Sequence, residues 1–180
     1  MADCVDYACG DLSDYLQNSC NEILLGGVPE VLIFLCGHSV TDPSNATQVN
    51  AGIAAGTVKL MSGVKIGVPK ASAVKIPSPI GGQPDVLLTY DRTATLIDAN
   101  VNTTNITYYN QLLAGKTIAG MAIHESDPDQ ITYYDAIMSF TGSRVIPDNN
   151  GDYQRFEIDI AWRGPEDGTI YASPVGVFSY

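Results

Sequence analysis

The sequence is short of charge, and of positive charge above all. Charged residues make up 16% of its 180 positions, well under the roughly one-quarter of an average soluble domain, so Thr, Ser, Asn and Gly must cover much of the surface. Nine basic residues face twenty acidic ones, a formal net charge of −11. That balance argues against phosphate-backbone binding as a main activity, because such a chain repels nucleic acid. No apolar run approaches the roughly 18 residues that span a bilayer; the longest is VLIFLCG at Val31 to Gly37. The opening residues lack a basic stretch followed by an apolar one, so no signal peptide is read there, no membrane partner is expected, and synthesis in a cytoplasm is.

Catalytic patterns are equally scarce. His38 and His124 are the only histidines; neither belongs to a pattern pairing it with a serine or cysteine nucleophile, or to a HExxH helix. His124 and Glu125, at a strand end, read as a surface pair. No GxGxxG follows a strand, and GGQPD at Gly81 lacks the lysine and helix of a phosphate-binding loop. The carboxylates are scattered over loops and strand faces, so no glycosidase-type pair stands out. The expectation is a protein that is not an enzyme and carries no cofactor.

What is present begins with cysteine. Cys4, Cys9, Cys20 and Cys36 all fall in the first fifth of the chain, at intervals C-x4-C, C-x10-C and C-x15-C. Zinc sites favour paired ligands two to four residues apart, which this spacing does not offer. A metal module built on the four cysteines and His38 is therefore the alternative from another class. Disulfides would require that the mature protein live outside cells. Small apolar packing residues are the preferred reading.

Residues 1–27 are acidic and cysteine-bearing and read as an arm; 28–180 read as one domain. Val28 to Val40 is a continuous apolar run, the mark of a strand buried on both faces or at a subunit contact. From 41 to 85, prolines and glycines punctuate a strand-like rhythm, predicting a long hairpin or extended loop. This excursion holds Lys59, Lys65, Lys70 and Lys75, four of the nine basic residues.

Beyond it, VLLTYDRTATLID predicts a strand, NTTN a turn and helix cap, and ITYYNQLLAGK a helix of about three turns ended by Gly115. Ile106, Tyr109, Leu112 and Leu113 share its buried face. TIAGMAIHE and QITYYDAIMSFTGSRVIP are strands. DNNGD resembles a calcium loop only superficially, since Tyr153 stands where glycine is required; Asn150-Gly151 reads instead as a hairpin turn. Phe156, Ile158, Ile160 and Trp162 then alternate with Glu157, Asp159, Ala161 and Arg163, a strand with one buried and one wet face. Pro174 makes the last piece an edge strand or tail.

The segments ITYYNQLLAGKTIAGMAIHE, ITYYDAIMSFTGSRVI and YQRFEIDIAWRG, in this order and after a glycine- and proline-punctuated excursion, resemble the bacteriophage tail-tube proteins, a family related to type VI secretion tube proteins. The likeness covers about half of the chain. It implies a mainly β (α+β) fold: an antiparallel sandwich or partial barrel with one flanking helix, a long hairpin or loop, and an N-terminal arm. It further implies stacked homo-oligomeric rings in a virion, contacts with other virion proteins, and DNA passing through without specific binding. A head–tail connector, tail terminator or capsid decoration protein shares those needs. On this reading Cys4, Cys9, Cys20, Lys59, Lys65, Lys70 and Lys75 are candidate assembly contacts. Glu157 and Asp159 are candidates for the wet or lumenal face.

Overall fold

The computed structural model describes residues 30–67, 69–78, 84–126, 129–148, 153–164 and 167–178. Its elements in chain order are β1 (Val31–Phe34), α1 (Ala46–Ala54), β2 (Val58–Met61), β3 (Val64–Ile66), β4 (Lys70–Ile76), β5 (Val86–Asp98), α2 (Thr103–Leu113), β6 (Ile118–Ser126), β7 (Asp129–Val145), β8 (Arg155–Gly164) and β9 (Thr169–Ala172). The strands pair antiparallel along the path β2-β1-β6-β7-β8-β5-β3, with β4 also on β5 and β9 also on β7. The fold is thus β-rich α+β, a curled half-barrel sheet.

The curl follows from chain connectivity. β2 and β3 lie at opposite ends of the strand path, yet only Ser62 and Gly63 separate them, a link that reaches about 10 Å. The sheet must therefore bend until its ends meet. Gly63 adopts φ +74° at this corner, a conformation that costs glycine little.

Two apolar layers form on either side of the bend. The inner core joins Val31, Ile33, Met61, Val64, Leu96, Ile118, Met121, Met138 and the even-numbered β8 residues Phe156, Ile158, Ile160 and Trp162. Helix α2 packs against it through Tyr108, Tyr109 and Leu112. The outer layer joins Leu32 and Phe34 to Val40, Val49 of α1, Val58, Ala122, Ile131 and the C-terminal Val177 and Phe178. Strand β1 contributes to both layers, which is why its sequence is an unbroken apolar run.

Helix α2 begins where NTTN predicts: the Asn102 side chain accepts from Asn105 N, and Asn102 is the N-cap. Just past its end, Gly115 has φ +92°. The buried face is Asn105, Tyr108, Tyr109 and Leu112, with Ile106 and Leu113 partly buried beside it. Strand β9 pairs only with β7 among the described strands and ends before Pro174, the edge position that the proline predicts.

Three expectations are corrected. Residues 41–85 are not a single hairpin or extended loop but hold α1, β2, β3 and β4, so two helices flank the sheet rather than one. Asn45 caps α1, accepting from Thr47 N at 3.1 Å and Gln48 N at 3.2 Å. Its glycine is a packing device: a Cβ on Gly52 would lie 2.6 Å from Val58 Cγ2. His124 is no surface residue, being 4% exposed. Its Nε2 lies 3.0 Å from Asp129 Oδ1 and its ring stacks on Phe178, with centroids 4.1 Å apart. And Cys36 is not a packing thiol, for it is disulfide-bonded. The arm 1–27 with Cys4, Cys9 and Cys20, and the Asn150-Gly151 turn, lie outside the described residues.

Candidate assembly surface

Three consecutive exposed apolar residues, Val86, Leu87 and Leu88, stand at the start of strand β5. Strand β8 pairs with β5 only from Tyr90 onward, Tyr90 standing opposite Gly164, while β4 continues along β5 to Ile76 opposite Val86. Residues 86–89 therefore project beyond the sheet as part of a two-stranded ribbon, over roughly 13 Å at strand rise. Directly paired residues share a face, so Ile76 and Val86 lie on one side and Lys75 and Leu87 on the other, while Leu88 is the extra residue of a β-bulge opposite Val74 and Lys75. Val86 is 57% exposed and Leu88 60%. Ile76 and Leu87 are exposed as well. A ribbon apolar on both sides cannot bury both against its own sheet.

The lysines divide on this surface. Lys65 on β3 and Lys70 and Lys75 on β4 are exposed. Lys59 is not: it is buried on β2, with its ammonium beside Gly56 at the end of α1. Lys59 therefore leaves the set of candidate contacts. Of the other three, Lys75 lies on the ribbon opposite Leu87, Lys70 on the adjoining part of β4 opposite Thr93, and Lys65 at the far end of β5 opposite Ile97.

The wet face of the sheet lies across β5, β8 and β7. Asp159 is exposed and stands between Thr95 and Thr141 in register, accepting a 2.7 Å hydrogen bond from Thr95 Oγ1. Glu157 accepts from Arg155 Nε at 2.7 Å. On the same side, a shallow groove of about 430 Å³ is lined by Asp91, Thr93, Ser139, Ala161 and Arg163 among others. Asp91 and Arg163 engage each other at 2.6 Å, and that hydrogen bond holds the Asp91 carboxyl below the usual carboxylate range. The groove's described lining offers no nucleophile set against a base.

Behind the sheet, Arg92 is 4% exposed and forms an ion pair with Asp167, on the stretch leading into β9. Its guanidinium also lies 5.4 Å from the Tyr90 ring centroid. This contact fastens the β8–β9 connection to β5 at the root of the ribbon. Sequence reading had no means to single out Arg92, which sits in an ordinary alternating strand. The exposed Leu87 and Leu88 were hidden likewise, since VLL reads as strand interior. Their one signal was a strand of 13 residues whose partner segment is broken by glycine and proline.

Among the described residues no three His, Cys, Asp or Glu side chains are grouped to hold a metal ion, and no helix is long and apolar enough to cross a membrane. The chain matches no protein-family model and no curated protein sequence.

Proposed function

We propose that this chain is a structural subunit that assembles with copies of itself into rings, and that the rings stack as the tail tube of a tailed bacteriophage, a conduit for DNA. The observation that carries the reading is the β4–β5 ribbon, whose apolar side chains are exposed on both faces. A segment of that kind is the mark of a contact surface, and another chain is the occupant that suits it here. Strand edges add to it: β4 and β9 each have one sheet neighbour among the described strands, and open edges invite pairing with further strands. In a closed ring this liability becomes the interface.

Charge supports the same arrangement. The exposed Lys65, Lys70 and Lys75 complement an acidic neighbour, and a chain of net charge −11 supplies acidic surface on every copy. With Asp159 and Glu157 lining the channel, DNA passes without the counterion release that drives binding. No catalytic step and no cofactor belong to this role, and the protein resides in the virion. A connector, terminator or decoration protein is the alternative within the same class.

Labelling intact particles with an antibody against the chain tests the assignment. Label repeated along the length of the tail supports it. Label confined to the head, to the junction, or absent from particles overturns the tail-tube role.

A further inference from the structure

We propose that His38 makes the attachment of helix α1 to the sheet acid-sensitive, so that protonation of this one ring loosens the outer layer while the inner core stays closed. The two apolar layers differ in one respect that matters here. The inner core and α2 contain no histidine, whereas the outer layer holds both of the chain's: His38 against Phe34 and His124 against Phe178.

His38 closes the turn that ends β1. Its amide donates to the Leu35 carbonyl at 3.2 Å, and Gly37 at φ +84° makes the turn. The ring meets Phe34 edge-on, with centroids 5.3 Å apart. Its Nδ1 is buried and has no hydrogen-bond partner. The neutral ring tolerates that position, since one imidazole nitrogen carries no proton; the cation puts a proton on each. Protonation would therefore bury a donor with no acceptor, and a charge beside a phenyl ring.

The groups facing His38 have been placed by the fold. Asp135 comes from β7; Tyr133 of the same strand packs edge-on against Phe34, with Tyr171 of β9 behind it. Strand β1 and helix α1 contribute no ionisable side chain. Burial holds the His38 pKa below its ordinary value; Asp135 and a backbone hydrogen bond at Val40 oppose this but do not overcome it. The charged ring gains by moving outward to Asp135, which is exposed.

That movement acts on α1 through Val40, two residues on. Val40 is buried in the outer layer, and a Cβ on Gly52 would lie 3.3 Å from its Cγ2, so it is wedged against the helix. Just beyond it, the amides of Thr41 and Asp42 donate to Gln48 Oε1 of the helix at 2.9 and 3.2 Å. Shifting His38 pulls on both attachments.

The test is amide hydrogen exchange of the full chain at about pH 7.5 and about pH 5, corrected for intrinsic rates, with side-chain NMR of His38 in parallel. Protection at Val49 of α1 and at its C-cap Ala55 should fall on acidification, by up to about tenfold per pH unit below the ordinary histidine range, while Ile158 and Ile160 of β8 keep theirs. In His38→Phe the fall at α1 should vanish. Equal loss in both layers, a fall that persists in His38→Phe, or a His38 midpoint at or above the ordinary value would overturn the proposal. The NMR midpoint is read on the unaltered chain, so it decides even if the variant fails to fold. None of these outcomes depends on assembly.

Discussion

The Tyr109 hydroxyl donates a 2.8 Å hydrogen bond to Asp98 Oδ2, and both residues are buried. The other carboxylate oxygen accepts from Asn100 N at 2.7 Å. One buried acid thereby ends β5, shapes the turn that follows, and fixes the helix that fills the bend of the sheet. Tyr109 also stacks on Phe156, with centroids 4.2 Å apart. Tyr109→Phe keeps that stack and removes only the donor to a charged group, so it should cost about 1.5–3 kcal/mol. Urea unfolding with an unchanged m-value measures it; a loss below about 0.5 kcal/mol would mean that the bond contributes little.

Two glycines should respond very differently to alanine. Gly142 in β7 has φ +146°, and a Cβ there would sit 2.1 Å from the Glu157 carbonyl oxygen across the strand pair. Backbone would have to move, so Gly142→Ala should lose more than about 3 kcal/mol or fail to fold. Gly115 at φ +92° has nothing within 4 Å, and Gly115→Ala should cost only about 1–2 kcal/mol. Thermal unfolding of the pair checks the ranking. Equal losses would contradict it.

These cases show what sequence could and could not disclose. β5, α2 and β8 were legible because their signals are local: a β-branched run, an asparagine cap, strict alternation. Val86–Asp98 and Thr103–Leu113 fall where those signals put them. Helix α1 was not legible, because Gly52 and the surrounding glycines and prolines lower helix propensity. What holds it is contact with Val58 and Val40, which no local window contains. His124 failed for the same reason, its burial coming from the C-terminal Phe178. Of the candidate surface, the sequence shows the lysines, yet only the fold separates buried Lys59 from exposed Lys65, Lys70 and Lys75.

The disulfide at Cys36 is open to direct chemistry. One bond takes two of the four cysteines, so denatured, unreduced protein should offer at most two thiols to a thiol reagent. Reduction should bring the count to four and lower stability by about 2–4 kcal/mol. Four reactive thiols before reduction would contradict the bond.

The ribbon should matter to association and not to folding. Leu87→Ser with Leu88→Ser should change stability by no more than about 1 kcal/mol, since both side chains are exposed surface residues. Assembly should nonetheless be lost or require far higher concentration. Lys70→Glu with Lys75→Glu should weaken assembly most at low salt, because exposed charges are screened beyond about 10 Å at 0.1 M. Unfolding curves and sedimentation on the same samples separate the two effects; a ribbon variant that assembles normally would remove the ribbon from the interface.

Sedimentation velocity over a wide concentration range, with negative-stain images of the same material, tests the ring proposal most directly. It predicts a concentration-dependent shift from monomer to closed rings or short tubes with a central channel. A single monomeric boundary at every concentration, with no rings or tubes on the grid, would contradict it.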